Sequence, residues 1–142
     1  MTQIRKAISL IFKNSEGKIL TTKRSLNKDS FPGFWSLPSA YLHDDEKPEE
    51  AAKRLAKNKL GLRAVEIASK SIGTGISDRD SYRLHMEDYN VLVFKGRPNL
   101  NHEEYSEMKW VTVEELKDLI KREQKGQMGE CTKILIGTYS LL

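Results

Sequence analysis

Pro48-Glu49-Glu50-Ala51-Ala52-Lys53-Arg54-Leu55-Ala56-Lys57-Asn58-Lys59-Leu60-Gly61-Leu62 is the stretch on which the fold turns. Ala51, Ala52, Leu55, Ala56 and Leu60 recur at helical spacing and make one apolar stripe. Pro48 suits the first helical position, where a missing N–H costs nothing. Glu49 and Glu50 lie in the first turn, where the helix dipole favours negative charge. Gly61 supplies a left-handed stop. The pattern predicts a helix that starts at Pro48 and ends before Gly61.

Working outward, residues 4 to 13 carry Ile4, Ala7, Ile8, Leu10, Ile11 and Phe12 and read as a strand. Asn14-Ser15-Glu16-Gly17 is a turn, and residues 18 to 25 read as the returning strand of a hairpin. Residues 26 to 34 form a loop punctuated by Asn27, Asp29, Pro32 and Gly33. Residues 35 to 42 look extended, with Pro38 arguing for an edge or a bend. Beyond the helix, residues 64 to 76 and 82 to 95 read as longer strands. The run Val91-Leu92-Val93-Phe94 predicts a central strand covered on both faces. Met108, Trp110 and Val111 suggest a short strand. Thr112 and Glu115 are spaced as a capping box for a second helix with Leu116, Leu119 and Ile120 on its buried face. Residues 132 to 142 read as a short third helix.

The chain has 142 residues, 38% hydrophobic and 31% charged, with no repeat, linker or low-complexity tract. One mixed α/β domain over residues 1–142 is the economical reading. Net charge is +4, with the signs interspersed, so an anionic ligand is mildly favoured and a dense nucleic-acid stripe is not indicated. Cys131 is the only cysteine, which excludes an intrachain disulfide and a multi-cysteine zinc site. The apolar run from Ala7 to Phe12 is too short for a signal-peptide core or a membrane span, so no membrane association and a cytoplasmic location are expected.

The helix and its flanks resemble a known pattern. Ala40, Glu46, Arg54, Gly61 and Leu62 fall without a gap on the Nudix box, which runs Gly, any five, Glu, any seven, Arg-Glu, aliphatic, any one, Glu-Glu, any one, Gly, aliphatic. Residues 19 to 24, then Phe31 to Pro38, are similar to the strand and loop before that box, and Glu107 to Val111 to its C-terminal third. The chain thus resembles the Nudix hydrolase superfamily over nearly its whole length. That resemblance implies a MutT-like α/β/α sandwich with a mixed central sheet, and family members often form homodimers.

The departures carry more information than the matches. The first glycine of the box is Ala40, the glutamate after the arginine is Leu55, and the Glu-Glu pair is Asn58-Lys59. In the family these glutamates hold magnesium and help activate water. Positions 55, 58 and 59 share one side of a helix. Three carboxylates there would repel one another unless a divalent ion joined them, and Mg²⁺ favours such oxygens. The ion then spreads phosphoryl charge and acidifies water. Leu55 offers no oxygen, Asn58 only a neutral one, and the ammonium of Lys59 repels a cation.

These residues predict a degenerate site that binds a nucleotide or other phosphorylated ligand, with magnesium-dependent hydrolysis lost and no cofactor expected. Lys59 and Arg24 would contact phosphate, since an ammonium serves as a point charge, while Phe34 and Trp35 could stack on a base. Core packing is the competing role for Trp35, and a solvated surface position for Lys59. Glu46 is the one box glutamate kept. It is the candidate catalytic carboxylate and also the expected partner of Arg54. A second reading is an active but non-standard hydrolase cleaving a nucleoside diphosphate-linked substrate, with Mg²⁺ held by Glu46 and another carboxylate such as Glu50 or Glu103. A third is a scaffold that recognises RNA or a protein partner. His43, His85 and His102 show no paired ligand spacing. Phe31-Pro32-Gly33 is also similar to isopentenyl-diphosphate isomerases. Those use a site cysteine, and Cys131 lies far from the matching segment, so that reading is set aside.

Overall fold

In the computed structural model the described residues are 3–28, 33, 35–78 and 81–122. Phe34, Cys131 and the third helix expected over 132–142 lie outside them.

Among the described residues ten elements follow in chain order: β1 Gln3–Ile11, β2 Ile19–Arg24, β3 Trp35–Ser36, β4 Ser39–Tyr41, α1 Pro48–Leu60, β5 Ala64–Ile67, β6 Gly73–Asp78, β7 Tyr82–Lys95, β8 Tyr105–Val111 and α2 Val113–Arg122. They build two sheets. In the larger, β1 lies between β4 and β7, and β7 pairs with β5 and β6 on its other side. Among these strands β1 and β7 pair in parallel; β4, β5 and β6 pair antiparallel. The smaller sheet has the order β3-β2-β8 and is antiparallel. The mixed α/β architecture expected from the helix and its flanks is present.

Alternation along β1 creates two packing faces. Ile8, Leu10 and Phe12 join the apolar stripe of α1 (Ala51, Ala52, Leu55, Ala56, Leu60) in the main core. Ile11 turns the other way and packs with Ile19, Leu37, Val111 and Leu116 of α2. Burying each large side chain of this kind contributes roughly 1.5–3 kcal/mol. No helix among the described residues is long and apolar enough to cross a membrane.

The ends of α1 match the sequence reading. The Glu50 carboxylate accepts the Lys47 N–H at 3.3 Å, and Gly61 takes φ 61°. In α2, Thr112 Oγ1 accepts the Glu115 N–H at 3.0 Å, and the Glu115 carboxylate accepts the Thr112 N–H at 3.4 Å.

Four expectations need correction. The strand expected over 64–76 is two, β5 and β6, which pair with different parts of β7. The hairpin of β1 and β2 exists only at its tip, where Lys13 bridges Ile19; β2 then leaves for the second sheet. The extended segment over 35–42 is two strands in different sheets, split at Leu37-Pro38. Leu92 and Val93 are not covered: they are 61% and 49% exposed. The pairing with β1 ends at Asn90, so the last turn of β7 keeps only β5 as a neighbour.

Candidate anion-binding site

Helical geometry sends the three box positions of α1 in different directions. Leu55 is fully buried in the main core. Asn58 is exposed at the outer surface. Lys59 leans towards β4, an edge strand. Leu10 N–H bonds to Pro38 O and Leu42 N–H to Lys6 O, both at 2.9 Å, on either side of β4. Ser39 between them uses its backbone outward. Lys59 Nζ donates to the Ser39 carbonyl at 3.1 Å, and the Ser39 N–H donates to Tyr105 Oη at 3.3 Å. Lys59 Nζ also lies 5.9 Å from the centroid of the Tyr105 ring, within cation–π range.

The loop between β7 and β8 completes the site because it caps α1. Asn99 N–H bonds to Leu60 O at 2.7 Å and Asn101 N–H to Lys59 O at 3.0 Å; Asn101 Nδ2 donates to Asn58 O at 3.2 Å. These bonds satisfy carbonyls that every helix end leaves unpaired. The loop then brings Glu104 to Lys59, with Oε2 to Nζ at 3.8 Å, and to Lys28 at 2.8 Å.

Three cations, Arg24, Lys28 and Lys59, therefore bear on one carboxylate. Burial pushes the Lys59 ammonium below the ordinary lysine range; Glu104 opposes this, and the charges of Arg24, Lys28 and Arg54 reinforce it. Burial works to raise the Glu104 carboxyl, but the Lys28 hydrogen bond and the charges of Lys59, Lys28 and Arg24 leave it below its usual value. The site is net positive, with an ionised carboxylate at its centre.

Glu46 stands apart from this cluster. Its oxygens are held by Arg54 Nε at 3.1 Å and Nη2 at 2.9 Å, and Oε1 also accepts the His43 N–H at 3.0 Å. Arg54 Nη2 further donates to Tyr41 O at 2.6 Å. The Arg54 hydrogen bond, then that of His43, brings the Glu46 carboxyl down to about 2. The expected pairing of Arg54 with Glu46 is present, and it fixes the loop before α1 onto β4. Trp35 is half-buried against the α2-side core, with Lys109 Nζ 5.7 Å from its ring centroid.

Lys59 and Arg24, named together from the sequence, act on one another through their charges here, and the structure adds Lys28, Glu104, Tyr105 and Ser39 to their surroundings. Nothing local marks Lys28 and Glu104 as partners, since they meet through the β2–β8 pairing.

Residues 3–130 match the family described as NUDIX domain. The chain belongs to the Nudix family. Over 132 residues it is 24% identical to an RNA pyrophosphohydrolase of Pelagibacter ubique, covering 82% of each protein. It is 30% identical over 146 residues to an isopentenyl-diphosphate Delta-isomerase of Dictyostelium discoideum, covering 88% of this chain and 61% of that protein. A MutT protein from Methanosarcina mazei Go1 superposes with a TM-score of 0.82 at 17% identity, covering 97% of this chain and 94% of the other. The two relatives are named for different reactions, so Nudix membership fixes the fold without choosing the chemistry.

Against the Nudix expectation of a magnesium site, the box residues of α1 do not fit a divalent ion. Leu55 is in the core, Asn58 is turned out, and the oxygens nearest Lys59 already face an ammonium. Among the described residues no three His, Cys, Asp or Glu side chains converge to hold a metal.

Proposed function

We propose that this Nudix-fold protein binds a nucleotide or another phosphorylated small molecule, and that the magnesium-dependent diphosphate hydrolysis of the family is lost. One observation carries the reading: Lys59 puts a tethered cation between the Ser39 carbonyl and Glu104, where a metal-dependent relative would need anionic oxygens. Arg24 and Lys28 extend the positive field. A phosphate entering here displaces the long contact between Lys59 and Glu104 and gains charge-assisted hydrogen bonds. Trp35, with Phe34 beside it in sequence, is the candidate stacking surface for a base. Glu46 acts by positioning Arg54, since its oxygens are already engaged.

Titration calorimetry with nucleoside diphosphates and inorganic pyrophosphate, in Mg²⁺ and in chelator, tests this. Binding that ignores the metal, with no Mg²⁺- or Mn²⁺-dependent turnover of nucleoside di- and triphosphates, dinucleoside polyphosphates or nucleotide sugars, is the expected result. Robust turnover abolished by Glu46→Ala would overturn it.

The second reading, a non-standard hydrolase cleaving a nucleoside diphosphate-linked substrate, draws support from the likeness to a pyrophosphohydrolase and from the ionised Glu104. It requires Mn²⁺ bound near Glu46 or Glu104. A crystal soaked in Mn²⁺ without an anomalous peak at either carboxylate would dismiss it.

A further inference from the structure

A row of polar residues crosses the larger sheet. Ser39 on β4 lies opposite Ser9 on β1, Ser9 lies opposite Asp88 on β7, and Asp88 lies opposite Gly73 on β6. Residues in register put their side chains on one face. The adjacent row on that face is Tyr41, Ala7 and Met86, so the polar row interrupts an apolar surface. It ends at Gly73 on β6.

Ser9 and Asp88 are 2% and 1% exposed. Ser9 Oγ donates to Asp88 Oδ1, and a serine hydroxyl has one proton to give. Asp88 Oδ2 is buried with no hydrogen-bond partner among the described residues. A buried, unsatisfied carboxylate oxygen opposes folding, so its presence asks for a donor from elsewhere. Burial raises the Asp88 carboxyl to about 6, against the Ser9 hydrogen bond and with help from neighbouring Glu87. It is therefore mainly ionised at neutral pH and ready to accept a proton donor.

The other end of the row is the Ser39 carbonyl that holds Lys59. Two strand spacings, about 10 Å in all, separate Ser39 from Asp88. That span is comparable to the reach from a phosphate to the far edge of a nucleobase.

We infer that Asp88, oriented by Ser9, is a specificity-determining residue whose Oδ2 accepts a hydrogen bond from an amino donor of a phosphorylated ligand anchored at Lys59. The inference rests on the phosphate-binding reading above.

Calorimetry with inorganic pyrophosphate and two matched pairs tests it: adenosine against inosine diphosphate, and cytidine against uridine diphosphate. Within each pair an amino group becomes a carbonyl. The wild-type chain is expected to favour the amino member by roughly tenfold, as suits a hydrogen bond to a charged acceptor. In Asp88→Asn, Ser9 still donates to the amide oxygen, which turns the amide NH₂ towards the ligand. The preference then reverses towards the carbonyl member, while pyrophosphate affinity stays within about twofold. Ser9→Ala frees the carboxylate to rotate, and narrows the preference without moving pyrophosphate. An unchanged nucleotide order in Asp88→Asn, or loss of pyrophosphate binding along with it, overturns the inference and leaves the phosphate site standing in the wild type. A wild-type chain that binds neither pyrophosphate nor nucleotide overturns both.

Discussion

Lys59 Nζ lies 3.1 Å from the carbonyl oxygen of Ser39, so a side chain of α1 satisfies the open backbone of an edge strand. The same nitrogen reaches Glu104. It therefore serves the packing of the fold and the charge of the site at once, and the two roles can be separated by substitution.

Lys59→Met keeps most of the aliphatic stem and removes the charge. Affinity for pyrophosphate is expected to fall by roughly 10- to 100-fold, the scale of a charge-assisted hydrogen bond. Calorimetry at constant ionic strength checks this, because exposed electrostatics are screened by salt. An unchanged affinity would place the phosphate elsewhere.

Lys59→Glu sets a second carboxylate beside Glu104 and the Ser39 carbonyl. Such a cluster repels itself until a cation joins it. The variant should be less stable than the wild type in chelator and gain several degrees in Tm on adding millimolar Mn²⁺, while the wild type does not respond. Thermal denaturation with and without metal decides the matter.

Gly61→Ala tests how tightly the β7–β8 loop grips the helix end. The φ of Gly61 is 61°, and a Cβ there would lie 2.8 Å from the Asn99 carbonyl oxygen. The strain and the clash together should cost about 2 kcal/mol, seen as a Tm lower by about 5–10 °C. Pyrophosphate binding should weaken as well, since the same loop carries Glu104.

Glu46 and Asp88 make opposite contributions to acid stability. For Glu46 the folded carboxyl is lowered to about 2. Its contribution is complete above about pH 4.5 and is lost as pH falls towards 2. The pair with Arg54 is partly exposed, so screening reduces it to about 1 kcal/mol. Urea titrations of Glu46→Gln against wild type should differ at pH 6 and converge near pH 2.

For Asp88 the folded carboxyl is raised to about 6 from 3.8. The native state then holds the extra proton, and stability declines as pH rises from about 4 through 6. Asp88→Asn should remove that slope and be more stable than wild type at pH 7 by about 1–2 kcal/mol. Equal slopes in the two proteins would mean that the carboxyl titrates normally.

The helix was readable because its information is local. Pro48, the stripe from Ala51 to Leu60, and Gly61 each act within a few residues, as do Thr112 and Glu115 at α2. The split at Leu37-Pro38 was less legible, since which sheet a two- or three-residue strand joins is set by distant partners. Leu92 and Val93 misled because an apolar run reports β propensity, while coverage depends on where β1 stops. At the site, Lys59 was visible as a charge reversal on a helix. Lys28 with Glu104, and Ser9 with Asp88, pair across 76 and 79 positions of sequence, and no pattern in either segment marks them.

The parallel pairing of Gln3–Ile11 with Tyr82–Asn90 sets a timetable for synthesis. β1 holds the middle of the main core, yet its long neighbour does not exist until residue 90 has left the ribosome. The tip bridge to β2, the short antiparallel contact with β4 and the apolar stripe of α1 can cover parts of it meanwhile. Closing so distant a pair is slow, and a nascent chain stalled before β7 would present the unpaired backbone edge of Gln3–Ile11 to chaperones or to other nascent chains.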